Sequence, residues 1–213
     1  MMLRKISLAL WSIVALLFVA SPAGADAVFA ESSLGDFSNL GTSPTLLAVG
    51  PGDNQIMGTT GAAGGTIDRD YVTFTVPTGF VWSGMEVLPG TQSGGSLSFL
   101  GLEAGPQVTV STGASDATGL LGWTHYNPQD INSDILARMG TNGLGSTGFV
   151  PPLAAGSYSL WVQDFNPGTF AYGFDVKITP APEPGTGVFA VFALAILGGF
   201  LTMRIDSRRT MTR

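Results

Sequence analysis

Cysteine is absent from this chain of 213 residues, and histidine occurs once. The first absence excludes disulfides, thiolate nucleophiles and a lipid anchor built on cysteine. Together they leave no zinc ligand set. A domain of this kind has to be held by burial and sheet pairing alone. Charge is also sparse, at 11% of residues against about 25% in ordinary soluble domains. Positive charge is scarcest of all. Between Val28 and Ala181 twelve acids face three bases, Arg69, Arg138 and Lys177, a net of −9. Such a surface repels phosphate backbones, so nucleic acid is not an expected partner. Catalytic patterns are missing too. His125 is the one histidine available to a Ser-His-Asp triad, and no G-x-S-x-G elbow accompanies it. The stretch Trp123 to Pro128 (WTHYNP) reads as a loop with an aromatic surface, and the chain is not expected to be an enzyme. No segment between Pro44 and Thr179 sustains an amphipathic helical period; Asp134 to Met139 (DILARM) is too short to compete with a strand.

Glycine is plentiful, at 30 residues, and supplies the positive φ angles of tight turns. Turn signals stand at Pro51-Gly52-Asp53-Asn54, Pro89-Gly90, Ser93-Gly94-Gly95, Ala155-Gly156 and Asn166-Pro167-Gly168. Between them the apolar residues alternate. Val72, Phe74 and Val76 share one strand face, and Tyr158, Leu160 and Val162 another, with Trp161 pointing away. Phe170, Tyr172, Phe174, Val176 and Ile178 form the longest such row. Short strands at this spacing predict an all-β fold, an antiparallel β-sandwich of jelly-roll type, over residues 44–179, with 28–43 as a lead-in.

The two ends have a different composition. Arg4 and Lys5, the apolar stretch Ile6 to Ala20, the breakers Ser21 and Pro22, and then Ala23-Gly24-Ala25-Asp26-Ala27 read as a signal peptide over 1–27. Cleavage after Ala25 or Ala27 is expected, with Ala30 a later alternative, so signal peptidase and the secretory translocon are implied partners. Near the other end Gly185 to Met203 is an uncharged apolar run of about 28 Å as a helix, enough to cross a hydrocarbon core. Arg204, Arg208, Arg209 and Arg213 follow it as a basic stop signal that favours the cytoplasmic side. Pro182-Glu183-Pro184 stands just before it, where the prolines deny helix and hold an extended conformation.

A proline-glutamate-proline motif, an apolar span and a basic tail, in that order and at the end of an exported chain, resemble the PEP-CTERM sorting signal of Gram-negative bacteria. Ala181 replaces the common valine, and Ile205, Asp206 and Ser207 interrupt the basic tail. The resemblance implies an exosortase, a membrane-embedded cysteine protease-transpeptidase, as partner. It also implies a brief stay at the inner membrane before release to the envelope, cell surface or extracellular matrix, in association with exopolysaccharide or biofilm. The alternative is a permanent single-pass anchor with a proline-rich stalk.

Asp68-Arg69-Asp70-Tyr71-Val72-Thr73-Phe74, followed much later by Leu153-Ala154-Ala155-Gly156-Ser157-Tyr158, resembles the bacterial pre-peptidase C-terminal domain. That resemblance implies an accessory, non-catalytic module, although the secreted enzyme that such modules accompany is missing. Two candidate sites remain. Trp123, Tyr126 and Trp161, with Trp82, are candidates for stacking on sugar rings, against the plainer reading of core or edge packing. Asp68 and Asp70, with Asp53 and Gln55, offer oxygen ligands to calcium as the one cofactor considered, against the plainer reading of turn caps and solvated edges.

Overall fold

A computed structural model describes residues 26–95, 98–114 and 116–182. Glu183, Pro184, the apolar run, Arg204, Arg208, Arg209 and nearly all of the signal peptide lie outside the described residues. Among the described residues no helix is long and apolar enough to cross a membrane.

Nine strands dominate, and most pair antiparallel. They are β1 (Ala27–Ala30), β2 (Thr45–Leu46), β3 (Gly52–Ala63), β4 (Thr66–Val76), β5 (Phe80–Val87), β6 (Ser98–Ala104), β7 (Gly122–Tyr126), β8 (Gly156–Gln163) and β9 (Gly168–Pro180). Two short helices, α1 (Glu31–Leu34) and α2 (Leu136–Asn142), accompany them. The sheet order is β5-β9-β3-β4-β8-β6-β7, with β1 added in parallel to β3 and β2 in parallel to β4.

One tight hairpin joins the two wings of this sheet. Strands β3 and β4 pair only at Gly61–Asp68, Ala62–Ile67 and Ala63–Thr66, across Gly64 and Gly65 with φ of 60° and 84°. Two successive positive φ angles match the right-handed twist of the strands, and glycine reaches them without strain. Beyond the hairpin β3 pairs with β9 while β4 pairs with β8, so the sheet curls and the wings face each other. Ile56, Met85, Val87, Phe174, Val176 and Ile178 of one wing then share a buried core with Val72, Phe74, Leu100, Leu102, Leu160 and Val162 of the other. The alternating rows supply this core because period-2 side chains leave a strand on one face.

Trp82 lies on β5, the strand at one end of the sheet order, and is wholly buried there, edge-on to Phe74 and Tyr158, so it packs in the core and offers no ring to a ligand. Its indole N–H donates to the Gly84 carbonyl (2.8 Å), which satisfies its one polar atom.

Four local expectations are corrected. Residues 28–43 do not merely lead in: β1 joins the sheet and Phe37 is buried in the core. Asp53 and Asn54 belong to β3 and not to a turn, with the Asn54 amide donating back to the Gly50 carbonyl (2.9 Å). Trp123 to Tyr126 is strand, not loop. Part of the DILARM stretch turns helical, as α2. The Asp134 carboxylate accepts from the Leu136 N–H (2.9 Å), and Leu136 and Met139 bury one helical face. Tertiary burial here rescues a helix too short to be stable alone.

Candidate functional site

An aromatic cleft opens on the outer face of the β7-β6-β8 wing. Its floor is Phe99 on β6, Trp123 and His125 on β7, and Trp161 on β8, side chains that alternate outward from strands whose other face feeds the core. Phe99 stacks on Trp123 (centroids 5.9 Å apart, 28° between planes) and meets Trp161 edge-on (5.1 Å, 67°). His125 stands edge-on to Trp123 at 5.4 Å. Val110, Leu144 and Phe165 form walls around a volume of about 480 Å³. Leu144 and Phe165 are 86% and 56% exposed, so apolar surface rims the cleft and faces water.

Both indole N–H groups are used internally. Trp123 donates to the Leu144 carbonyl (3.0 Å), and Trp161 donates to Gln163 Oε1 (3.1 Å), which also accepts from Arg69 Nε (3.0 Å). These bonds fix the planes of both rings in advance. A second hollow of about 340 Å³ shares Trp123 and His125 and is otherwise polar, lined by Thr124, Asn127, Gln129, Asp130 and Arg138. The two hollows flank one aromatic edge, so the surface is longer than a single ring.

Of the proposed stacking residues, Trp123 and Trp161 meet in this cleft and Tyr126 does not. Tyr126 points to the opposite side of β7 and is buried edge-on against Phe174 (5.0 Å), because it shares a strand face with Thr124 and not with Trp123 and His125. Trp161 is 5% exposed and stacks on Tyr71 (5.6 Å), so it serves as packing and floor together. Phe99 and Phe165 were not singled out in the sequence. Their partners come from strands and loops distant along the chain.

The polar hollow is braced by an ion pair. Arg138 donates from both terminal nitrogens to Asp130 (2.7 and 2.9 Å). These bonds hold the Asp130 carboxyl below its usual range, against the opposing effect of its partial burial. With a folded pKa below the unfolded one, the stabilisation is present above about pH 3.9 and is lost as pH falls through the lower folded value. Arg138→Ala is therefore expected to cost about 1 kcal/mol at pH 7, after allowance for solvent screening. Urea denaturation at pH 7 and pH 3 checks this, and the gap between wild type and variant should narrow at the lower pH.

The calcium candidates separate. Asp68 is half-buried and accepts from Asn39 Nδ2 (3.3 Å). Burial and the Asp36 charge raise its pKa. Asp70, two residues on, heads the core-facing row that continues through Val72, Phe74 and Val76. It has no exposed surface and neither of its oxygens has a hydrogen-bond partner. Burial pushes its carboxyl up to about 9, with the neighbouring Tyr172 phenol opposing and the Glu31 and Asp68 charges adding to the rise. The carboxylates that converge with Asp70 are Glu31 and Asp36, one oxygen from each of the three lying within 4.8 Å of the others. Asp53 and Gln55 are not in that group. Extending the Val72-Phe74 row back by two residues would have flagged Asp70 as inward-facing. Nothing local could have brought Glu31 and Asp36 to it.

In comparisons with known proteins, no protein-family model matches the chain and no curated protein matches it.

Proposed function

We propose that the chain is an exported surface or matrix protein, released by an exosortase-like enzyme, whose non-catalytic β-domain binds a neutral polysaccharide through its aromatic cleft. In this reading the curled sheet is a jelly-roll-like β-sandwich, delivered by a signal peptide and held briefly by a single span. One observation carries the binding role: Phe99, Trp123 and His125 reach the surface over the buried Trp161, and both indole N–H groups are already engaged, which leaves the accessible ring surface for apolar contact. Sugar rings present C–H faces that pack on such platforms and hydroxyls that suit the adjoining Asn127, Gln129 and Arg138. The acidic balance of the domain disfavours polyanions, which selects neutral chains. Sorting rests on the order of Pro182-Glu183-Pro184, the apolar run and the arginines.

Affinity electrophoresis of the full chain in gels containing the producer's own polysaccharide tests the binding. Retardation is expected, and Trp123→Ala should weaken it about tenfold through the lost stacking. Unretarded wild type, or unchanged retardation in that variant, would remove the cleft from the account. The rival reading, a permanently anchored envelope protein, is distinguished by mass spectrometry of surface material. A C-terminus at Arg213, in a host with an exosortase, would establish it.

A further inference from the structure

Most buried carboxylates of the β-domain have donors. Asp164 accepts from the Gly94 N–H (2.7 Å), Ser98 Oγ (2.6 Å) and the Asn166 N–H (2.8 Å). Burial alone would raise its pKa, yet these donors together hold it low. Glu103 accepts from the Thr109 N–H (2.8 Å) and its hydroxyl (2.5 Å). Asp175 accepts from the Asn54 N–H (2.9 Å) and lies 3.7 Å from Lys177 Nζ. Asp70 has none of these, and it faces two more carboxylates. A carboxyl so placed is costly as an anion and has to be neutralised by a proton or by a cation that displaces it. No salt bridge reaches Glu31, Asp36 or Asp70 among the described residues, so no side-chain cation does so.

A second group points into the same space. Tyr172 is 3% exposed, and its buried hydroxyl also lacks a hydrogen-bond partner. Gly58 keeps the space open: a methyl group there would stand 2.7 Å from Tyr172 Oη and 3.0 Å from Asp70 Oδ2. The surrounding donor set is oxygen alone, which suits a hard cation and not zinc or copper.

We propose that Glu31, Asp36 and Asp70 bind a calcium ion that clamps the N-terminal arm onto the mouth of the core. The arm is already aligned for this. Strand β1 pairs with β3, and Glu31 accepts from the Thr59 N–H (2.8 Å) and the Phe37 N–H (3.1 Å), which fixes its carboxylate toward Asp70. Asp36, exposed at the rim, supplies the outer ligand, and solvent completes the shell of six to eight oxygens. The ion neutralises three converging acids and ties residues 31 and 36 of the arm to residue 70 of the sheet. Its affinity belongs to the class of extracellular modules, with Kd of about 10⁻⁴ to 10⁻³ M.

Terbium, a luminescent stand-in for calcium, tests this on the full chain in detergent after chelator treatment. Excitation of tyrosine should give saturable terbium emission, because Tyr172 adjoins the site, and added calcium should quench it by displacement. Asp70→Asn, which keeps the shape and removes the charge, should abolish the signal. Asp36→Asn, on the exposed side and so harmless to folding, should raise Kd on the order of tenfold by lowering the ligand charge. Asp68→Asn should change it little. Absence of saturable emission overturns the proposal, and so does emission that survives both Asp70→Asn and Asp36→Asn. Polysaccharide binding is unaffected by either outcome, since the cleft shares no residue with this site.

Discussion

Phe174→Asp is expected to unfold the β-domain. Phe174 has no exposed surface and sits mid-strand on β9, stacked on Tyr172 (5.4 Å) and edge-on to Tyr126 (5.0 Å). Strand β9 lies between β3 and β5, so it is a central strand whose displacement breaks two ladders. Removing the ring alone costs about 3–5 kcal/mol in lost contacts and residual cavity. A carboxylate left in its place must be desolvated or protonated, which adds further cost. The sum reaches the whole stability of a typical domain, about 5–15 kcal/mol. Urea denaturation of the full chain measures it, with Val150→Asp, at a position 81% exposed, as a control expected within about 0.5 kcal/mol of wild type. A Phe174→Asp protein with an unshifted midpoint would show that the core does not close over this residue.

Alanine at Pro182, Glu183 and Pro184 together, or at Glu183 alone, is expected to block removal of the tail while export proceeds. A transpeptidase at the membrane needs its substrate extended and free of hydrogen-bonded structure. The prolines fix φ and withhold the N–H that a helix or ladder requires. Glu183 keeps the motif in the aqueous or headgroup layer, since a carboxylate resists entry into hydrocarbon. The last strand, β9, ends at Pro180, and Pro182 is exposed just beyond it. The unprocessed variant should stay with the membrane and run about 3 kDa heavier, the mass of roughly 29 residues, because an intact span holds effectively irreversibly. Mass spectrometry of wild type and variant from the same host decides the matter. Equal masses for the two would show that the motif is not read.

Much of the strand layout is legible in the sequence, for a simple reason. Alternation is a local property, set by the pleat of each strand, so the rows at Val72-Phe74-Val76 and Tyr172-Phe174-Val176-Ile178 identify buried faces without knowledge of their partners. The same rule places Trp161 off the core row. It fails at Tyr126, where the surrounding polar and turn residues suggest loop and the strand forms only because the neighbouring β6 pairs with it. It fails again at Leu136 to Asn142, where a helix of two turns exists by virtue of the hollow it fills.

The sequence by itself determined that the described domain is all-β, without disulfides, mostly antiparallel and acidic, and it marked the side chains that had to be inside. Only the tertiary structure decided which of the others meet. Glu31 and Asp36 reach Asp70 because β1 lies beside β3 and the β3–β4 hairpin turns Asp70 toward it. Phe99, Trp123 and Trp161 share one floor because β6 lies between β7 and β8. Strand order depends on long-range pairing and the curl of the whole sheet, and a period of two residues carries no record of either.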